Sequence, residues 1–436
     1  MVNYETIVKV IDESSKISTN KIVIRKLEKI LSKNITEKKP VKIITGIRRC
    51  GKSFIFKRLY LRLLKKGIPK SNILFINFEN DLLNDYCNLN DLRTIYETFK
   101  TKSNSNFRLY LFLDEIQNVK DWEKFVRSLY DSTDYDIYVT GSNSHLLSSE
   151  FSSVLGGRIL EYHILPMSFI EMMDYHNFDY KDPFFKQENI DIYARLCSDY
   201  INFGGFPETF NLDDEQRKNY RESLFEKIII KDIMRRYSIG TPNILKDLFI
   251  YLSKNIGSII NYSKIAIYSK ISDKTIQKYT QFFINVFLIK KLEKQEWKSK
   301  RIFQTQSKFY FIDNLFSYNS ITSRKLENLV HSELLRQADI NNITFLRNEK
   351  GQEIDFMIEK NNSYTCIQVC WDLNDENIKR EIRGLLNIQK YNITEIKYVV
   401  SYLLIIYADS RIKKEEYEGV RIINIYDFLL NPSKYI

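Results

Sequence analysis

The chain has 436 residues, 44% hydrophobic and 28% charged, which is the make-up of ordinary folded protein and excludes collagen-like, mucin-like and wholly disordered chains. At about 150 residues per domain the length suggests two to four domains. The formal net charge of +11 is unevenly placed: residues 21–70 hold 17 Lys/Arg against Glu28 and Glu37, and residues 251–310 hold 12 against three acids, so phosphate or nucleic-acid contact competes with a mere AT-rich codon bias toward lysine.

In chain order, residues 1–39 read as a polar, basic helical lead-in with Ile24, Leu27, Ile30 and Leu31 at helical spacing. Short runs, apolar at nearly every position, then alternate with helical stretches: Val41–Thr45, Ile73–Phe78, Leu109–Leu113 and Ile137–Thr140, and another short run about Leu160–Leu165 would close the sheet. Parallel strands covered on both faces look like this, and strands alternating with helices make an α/β domain of βαβ units. From about Ser168 to Ser307 the pattern turns mostly helical. Strand-like runs return at Phe309–Ile312, Ile354–Ile358, Thr365–Val369 and Ile396–Val400, with the helix Leu326–Gln337 among them, and predict a second, smaller α/β unit. The expected division is 1–167, 168–312 and 313–436.

Cys50, Cys87, Cys197, Cys366 and Cys370 form no clustered pairs of the kind a disulfide framework or zinc site needs. The first residues, MVNYETIVKVIDESSK, have no signal-peptide core, and no apolar run reaches the ~18 residues of a membrane span. The expectation is a reduced, cytoplasmic protein with no membrane partner.

The sharpest motif is Gly46-Ile47-Arg48-Arg49-Cys50-Gly51-Lys52-Ser53, which fits G-x-x-x-x-G-K-[ST] between the strand Val41–Thr45 and a periodic helix, Phe54–Leu64. Glycines let such a backbone turn its N–H groups onto phosphate oxygens, and the helix N-terminus adds partial positive charge. In this reading residues Gly46 to Phe54 cradle the nucleotide, Lys52 reaches the β- and γ-phosphates, and the Ser53 hydroxyl ligates Mg2+. Hydrolysis also needs a carboxylate for the metal and a base for the water. The strand Leu109–Leu113 ends in Asp114 and Glu115, assigned to those two tasks in that order; a helix cap is the alternative use of an Asp-Glu pair. Ser142, in the polar tip Gly141-Ser142-Asn143-Ser144 after the next strand, is a candidate sensor of the γ-phosphate, beside a plain cap for Ser144–Ser148. Arg158 in Leu155-Gly156-Gly157-Arg158 is a candidate arginine finger, in cis or from a neighbouring copy, or else a surface residue beside a turn.

Together these residues resemble the AAA+ superfamily, and more narrowly the bacterial and archaeal ATPases that join an AAA-type domain to a C-terminal region of unknown function. GIRRCGKS, Asn77-Phe78-Glu79-Asn80, LDEIQNVKDWEKFVRSLYD, TGSNSHLLS and LGGR carry the likeness, as do Gly204-Gly205-Phe206-Pro207-Glu208 and Lys308-Phe309-Tyr310-Phe311-Ile312-Asp313 downstream. The resemblance implies a P-loop NTPase core of the ASCE/AAA type, and ATP rather than GTP.

Residues 245–312 suggest a winged helix, with a short helix about Ile265–Ile267, a turn at Ser269–Ser272, and Asp273 capping a helix that buries Ile276, Tyr279 and Phe283. Lys274, Gln277 and Lys278 would face outward, with Lys298, Lys300 and Arg301 on the wing, so DNA is the expected partner of 251–310 and protein packing the rival. The last unit resembles the restriction-endonuclease-like fold, whose active form sets a helix Glu, a strand Asp and an E-x-K pair around Mg2+. Glu327 and Asp355 match the first two, but Gln368-Val369-Cys370 stands where acid and lysine belong. The resemblance therefore implies a scaffold that does not cut. The leading expectation is an Mg2+-dependent ATPase acting as a switch on DNA. A nucleotide-gated protein scaffold and an ATP-regulated nuclease are the rivals, and a trans arginine finger would require a homo-oligomer.

Overall fold

The computed structural model describes residues 4–14, 23–32, 40–83, 87–144, 155–239, 242–296, 306–318, 321–337, 343–348, 351–360, 363–387, 399–406 and 415–436. The chain divides into two compact units, Met1–Pro166 with Asn285–Phe287, and Met167–Ile284 with Leu288–Ile436.

The first unit is built on β1 (Val41–Thr45), β2 (Ile73–Asn77), β3 (Tyr110–Asp114), β4 (Asp136–Gly141) and β5 (Ile159–His163), side by side in the order β2-β3-β4-β1-β5 and all parallel. β1, β3 and β4 are buried at every position, as the near-continuous apolar runs require. Phe112 stacks on Tyr138 at 4.8 Å, and Phe56 meets Phe112 edge-on at 5.1 Å. Phe56 comes from α3 (Lys52–Lys65), preceded in the chain by α1 (Tyr4–Ser14) and α2 (Lys26–Ser32); the helix α3 buries Ile55, Phe56, Leu59, Tyr60 and Leu63 at helical spacing. Lys42 is an exception within β1. Its ammonium is buried against Asp136, whose other oxygen accepts from the Tyr138 hydroxyl at 2.8 Å, which meets the demand that a buried charge be paired.

The lead-in differs from its expected stripe. Ile24 and Ile30 are exposed, whereas Glu28 is fully buried and held by Arg58 and Arg62 of α3. Leu31 is buried and Leu27 half-buried, so half of the stripe holds, and a buried carboxylate with two arginines adds to the docking of α2.

In the second unit, helices Asn243–Lys254, Tyr262–Ser269 and Asp273–Asn285 lead into the antiparallel pair β6 (Ile289–Glu293) and β7 (Ser307–Phe311), with Ile259 bridging to Lys308. The helix Asp273–Asn285 is not capped by Asp273, which is its first residue; the Ser272 hydroxyl accepts from the Thr275 N–H at 3.2 Å instead. Ile276 and Phe283 are buried, Tyr279 is half-buried, and Lys274, Gln277 and Lys278 are exposed. Lys298, Lys300 and Arg301 lie outside the described residues.

The helix Thr322–Gln337 then precedes an antiparallel meander of β8 (Ile343–Arg347), β9 (Glu353–Lys360) and β10 (Ser363–Cys370). Helix Ile378–Leu386 crosses to β11 (Val399–Ile406), parallel to β10, with β12 (Glu416–Tyr417) and β13 (Val420–Asn424) beyond it in the order β12-β13-β11-β10-β9-β8. That succession is a second α/β unit, as the returning strand-like runs predict. The first three residues of the expected strand Ile396–Val400 fall outside the described residues.

Candidate functional site

The strand order brings the candidate residues together. β4 lies between β1 and β3, and because all three are parallel, the loop after β1, the acids after β3 and the tip after β4 leave the sheet on one edge, where open α/β sheets bind ligands.

The loop after β1 is tightly fitted. A Cβ on Gly46 would lie 2.4 Å from the Ile164 carbonyl oxygen and 2.8 Å from the Cys50 sulfur, so no larger residue enters without moving backbone. Gly51 sits at φ 104° as the N-cap of α3, and no side chain among the described residues caps that end, the place where first-turn amides can meet an anion. Arg25, buried, backs the loop: it donates to the Cys50 carbonyl at 3.0 Å and to the Leu165 carbonyl at 2.8 Å. Arg48 forms a bidentate pair with Glu79 at 2.6 and 3.0 Å, while Arg49 is exposed at φ 67°. Ile47 and Cys50 turn their side chains inward, so only their backbone faces a ligand. Burial pushes the Cys50 thiol up, against the opposing charges of Lys52 and Arg25.

Lys52, 3% exposed, donates to the Gly46 carbonyl at 3.0 Å and pairs with Glu115 Oε1 at 3.1 Å. Burial alone would lower its pKa, but Glu115 raises it. Glu115 itself, in the left-handed region at φ 53°, is held below the ordinary carboxylate range. Burial opposes this, and the Lys52 charge and the Gln117 amide outweigh it. The Gln117 amide donates to Glu115 Oε2 at 2.6 Å and to Ser142 Oγ at 3.3 Å. Asp114 is fully buried. Thr140 ties the dyad together, its hydroxyl donating to Asp114 Oδ1 at 2.5 Å while accepting from the Glu115 N–H at 2.9 Å. Burial and the neighbouring Glu115 charge push Asp114 up to about 6, and the Ser53 and Thr140 hydroxyls hold it down. Asp114 Oδ2 is buried without a hydrogen-bond partner among the described residues. An orphaned carboxylate oxygen beside Ser53 is the oxygen-only donor set that Mg2+ prefers.

Lys52, Ser53, Asp114, Glu115 and Ser142 thus converge. Arg158 does not join them within its own chain. Its carbonyl accepts from the Val41 N–H at 2.9 Å, at the opposite end of β1 from Gly46, about 16 Å of strand away. Its guanidinium pairs with Asp131 and lies over the Tyr130 ring. Of the segment expected to carry a plain cap, only Ser144 is described, and residues 145–148 lie outside the described residues. Arg25, Thr140, Gln117 and Glu79 were missed as site residues by sequence reasoning. Gln117 and Glu79 stood inside quoted motifs, whereas nothing near Arg25 signalled that it supports a loop 25 residues on.

The last unit holds a different cluster. Glu327 and Asp355 do approach one another, and between them lies Lys308 of β7, 1% exposed, with its ammonium 2.5 Å from Glu353, 3.3 Å from Glu327 and 3.9 Å from Asp355. The Tyr310 hydroxyl donates to Glu327 at 2.6 Å and the Val369 N–H to Asp355 Oδ2 at 2.9 Å. Burial and then the Glu327 charge push Asp355 up to about 8, while the three acids hold the Lys308 ammonium up at about 12 despite its burial. An ammonium at the centre of the acids, with Gln368 and Cys370 in place of acid and lysine, does not fit a divalent metal.

Three family models match successive parts of the chain. Residues 38–173 match the family described as an AAA domain, and 194–318 and 322–428 match two families described only as domains of unknown function. An uncharacterized protein of Methanocaldococcus jannaschii is 34% identical over 397 residues, covering 86% of each chain. Another, from Haemophilus influenzae, is 30% identical over 402 residues, 89% of this chain and 94% of that one. Among solved structures, the ORC2 protein of Aeropyrum pernix is 13% identical with a TM-score of 0.38, covering 73% of this chain and 97% of its own. No helix among the described residues is long and apolar enough to cross a membrane. The chain belongs to the AAA+ proteins that join an AAA domain, built on a P-loop NTPase sheet, to a C-terminal region of unknown function.

Proposed function

We propose that this chain binds ATP with Mg2+ and hydrolyses it, and that the hydrolysis drives a switch acting on DNA. One observation carries the enzymatic part. The buried Lys52–Glu115 pair sits at a helix N-terminus, beside a carboxylate oxygen of Asp114 that has no hydrogen-bond partner among the described residues. Lys52 would leave Glu115 for the β- and γ-phosphates, the loop amides would hold the remaining phosphate oxygens, and Ser53 and Asp114 would hold the Mg2+. The metal, when bound, neutralises charge on the β- and γ-oxygens. Glu115 takes a proton from water as the water oxygen bonds to the γ-phosphorus. The bond from that phosphorus to the bridging oxygen breaks, and its electron pair stays on ADP.

Glu115→Gln is expected to lower the turnover number by about 10²–10⁴, the usual worth of a positioned base, while labelled ATP still binds. An unchanged rate would overturn the assignment of the base. Arg158 would reach a nucleotide only from a neighbouring copy. Mixing Glu115→Gln and Arg158→Ala subunits tests that, because restored turnover requires a composite site.

DNA as partner is supported by the second basic block. Helices Tyr262–Ser269 and Asp273–Asn285 leave Lys264, Lys270, Lys274 and Lys278 exposed on either side of a tight turn, and with the antiparallel β6–β7 pair this is the order of a winged helix. Contacts of this kind would go mainly to phosphates, so affinity for duplex should fall steeply with added salt. No binding even at low salt would leave the protein-scaffold reading in its place. Five buried thiols, none in a disulfide, suit a reducing cytoplasm. The nuclease reading is disfavoured by Lys308 at the centre of the acids.

A further inference from the structure

Both carboxylate oxygens of Glu115 are engaged, Oε1 by Lys52 at 3.1 Å and Oε2 by the Gln117 amide at 2.6 Å. A bound triphosphate competes only for Lys52, because a lysine ammonium is drawn to the more concentrated charge. The amide of Gln117 is not drawn away, so it becomes the remaining restraint on the base. The same amide reaches Ser142 Oγ at 3.3 Å, and Ser142 is 2% exposed, immediately after β4, whose last residue is paired in register with Thr45 beside the phosphate loop. Gln117 therefore links the tip of β4 to the carboxylate of Glu115.

The orientation of the amide follows from its neighbours. A flipped Gln117 would set its carbonyl oxygen against the Glu115 carboxylate, two acceptors with no proton between them. With the NH2 group fixed on Glu115 and Ser142, the Gln117 carbonyl oxygen is left buried and without a hydrogen-bond partner among the described residues. It is an acceptor available to a water molecule held by the neighbouring carboxylate.

Resting on the ATPase reading above, we propose that Gln117 is a positioning residue for hydrolysis. It holds Glu115 in place once nucleotide takes Lys52, makes that hold depend on Ser142, and offers its carbonyl oxygen as a second anchor for the attacking water. Among the described residues the hydrogen bonds of Gln117 run to Glu115 and Ser142 and none to the loop Gly46 to Ser53, so nucleotide affinity does not depend on it.

The test is steady-state turnover of MgATP, with equilibrium binding of a fluorescent ATP analogue, for wild type, Gln117→Ala, Ser142→Ala, the double variant and Gln117→Glu. Loss of a hydrogen bond to a charged group predicts a turnover number about 10- to 100-fold lower in Gln117→Ala, with dissociation constant and KM within about twofold. Ser142→Ala should fall in the same direction, and the double variant should be no worse than the poorer single one, since the two act through one link. Gln117→Glu places a like charge beside Glu115, and the acidic limb of the pH–rate profile should move to higher pH. A parallel loss of binding and turnover in Gln117→Ala would show a merely structural role and overturn the proposal. So would unchanged turnover, or fully additive losses in the double variant. If wild type itself neither binds nor turns over nucleotide, the ATPase reading fails first, which separates the two failures.

Discussion

Asp114 holds the clearest consequence at the scale of single residues. Its carboxyl is pushed up to about 6 by burial and by Glu115, so it is largely ionised above that pH and gains a proton as pH falls through it. A protonated carboxyl is a poor ligand for Mg2+. Mg2+-dependent affinity for a labelled ATP should therefore hold from pH 8 to 7 and weaken from pH 6.5 to 5. Asp114→Asn should lose the metal dependence and its pH profile together. A flat profile in wild type would place the metal elsewhere. The acids and the lysine were legible in the sequence because their chemistry is local: an apolar strand ending in Asp-Glu, and a glycine-bracketed loop ending in Lys-Ser. Thr140 was not, since a threonine inside an apolar strand reads as a β-former. Only the pairing of β4 beside β3 turns its hydroxyl toward Asp114 and the Glu115 N–H.

Among elements, the phosphate loop depends on parts far from it in sequence. Arg25 holds two buried carbonyls, at Cys50 and Leu165. Arg25→Ala leaves both unpaired and should destabilise the first unit by about 1–3 kcal/mol for each, read as a lower thermal midpoint together with weaker nucleotide binding. Gly46→Ala drives a methyl into the Ile164 carbonyl, 2.4 Å away, and overpacking of that kind costs about 1–3 kcal/mol. Normal stability and affinity in either variant would contradict this account of the loop. Four of the five parallel strands, β1 to β4, were foreseen at nearly their observed bounds, because a strand buried on both faces writes itself as a continuous apolar run. In contrast β5, with none of its residues buried, left only a weaker signal. Short strands covered on one face, such as β8 and β13, were not read. The lead-in helix was legible only in part, since Leu31 is buried and Leu27 half-buried as its spacing predicts, but Ile24 and Ile30 are exposed and Glu28 docks against Arg58 and Arg62.

For the whole molecule, two α/β sheets have opposite fates. The first keeps a buried carboxylate oxygen with no hydrogen-bond partner among the described residues beside its loop, and the second closes its acids around Lys308. Removing one partner of a buried ionic cluster is strongly destabilising, by about 3–5 kcal/mol. Lys308→Met should accordingly lower hydrogen-exchange protection across β9 and β10 and leave β1 and β3 as they were. Unchanged protection at β9 and β10 would mean that the acids do not need the ammonium. The departure from E-x-K was visible at Gln368 and Cys370. The lysine that fills the cluster was not, because it lies 47 residues before Asp355 in the chain and only the folding of β7 beside the acids brings it there.

The central claim is that the turn between β1 and α3 wraps a triphosphate. Isothermal titration of the full chain with MgATP tests it most directly, with Lys52→Ala as comparison and circular dichroism to show that both are folded. Saturable binding by wild type and at least a tenfold loss in Lys52→Ala is the predicted result. No heat of binding for folded wild type, or equal affinity in the variant, would contradict it.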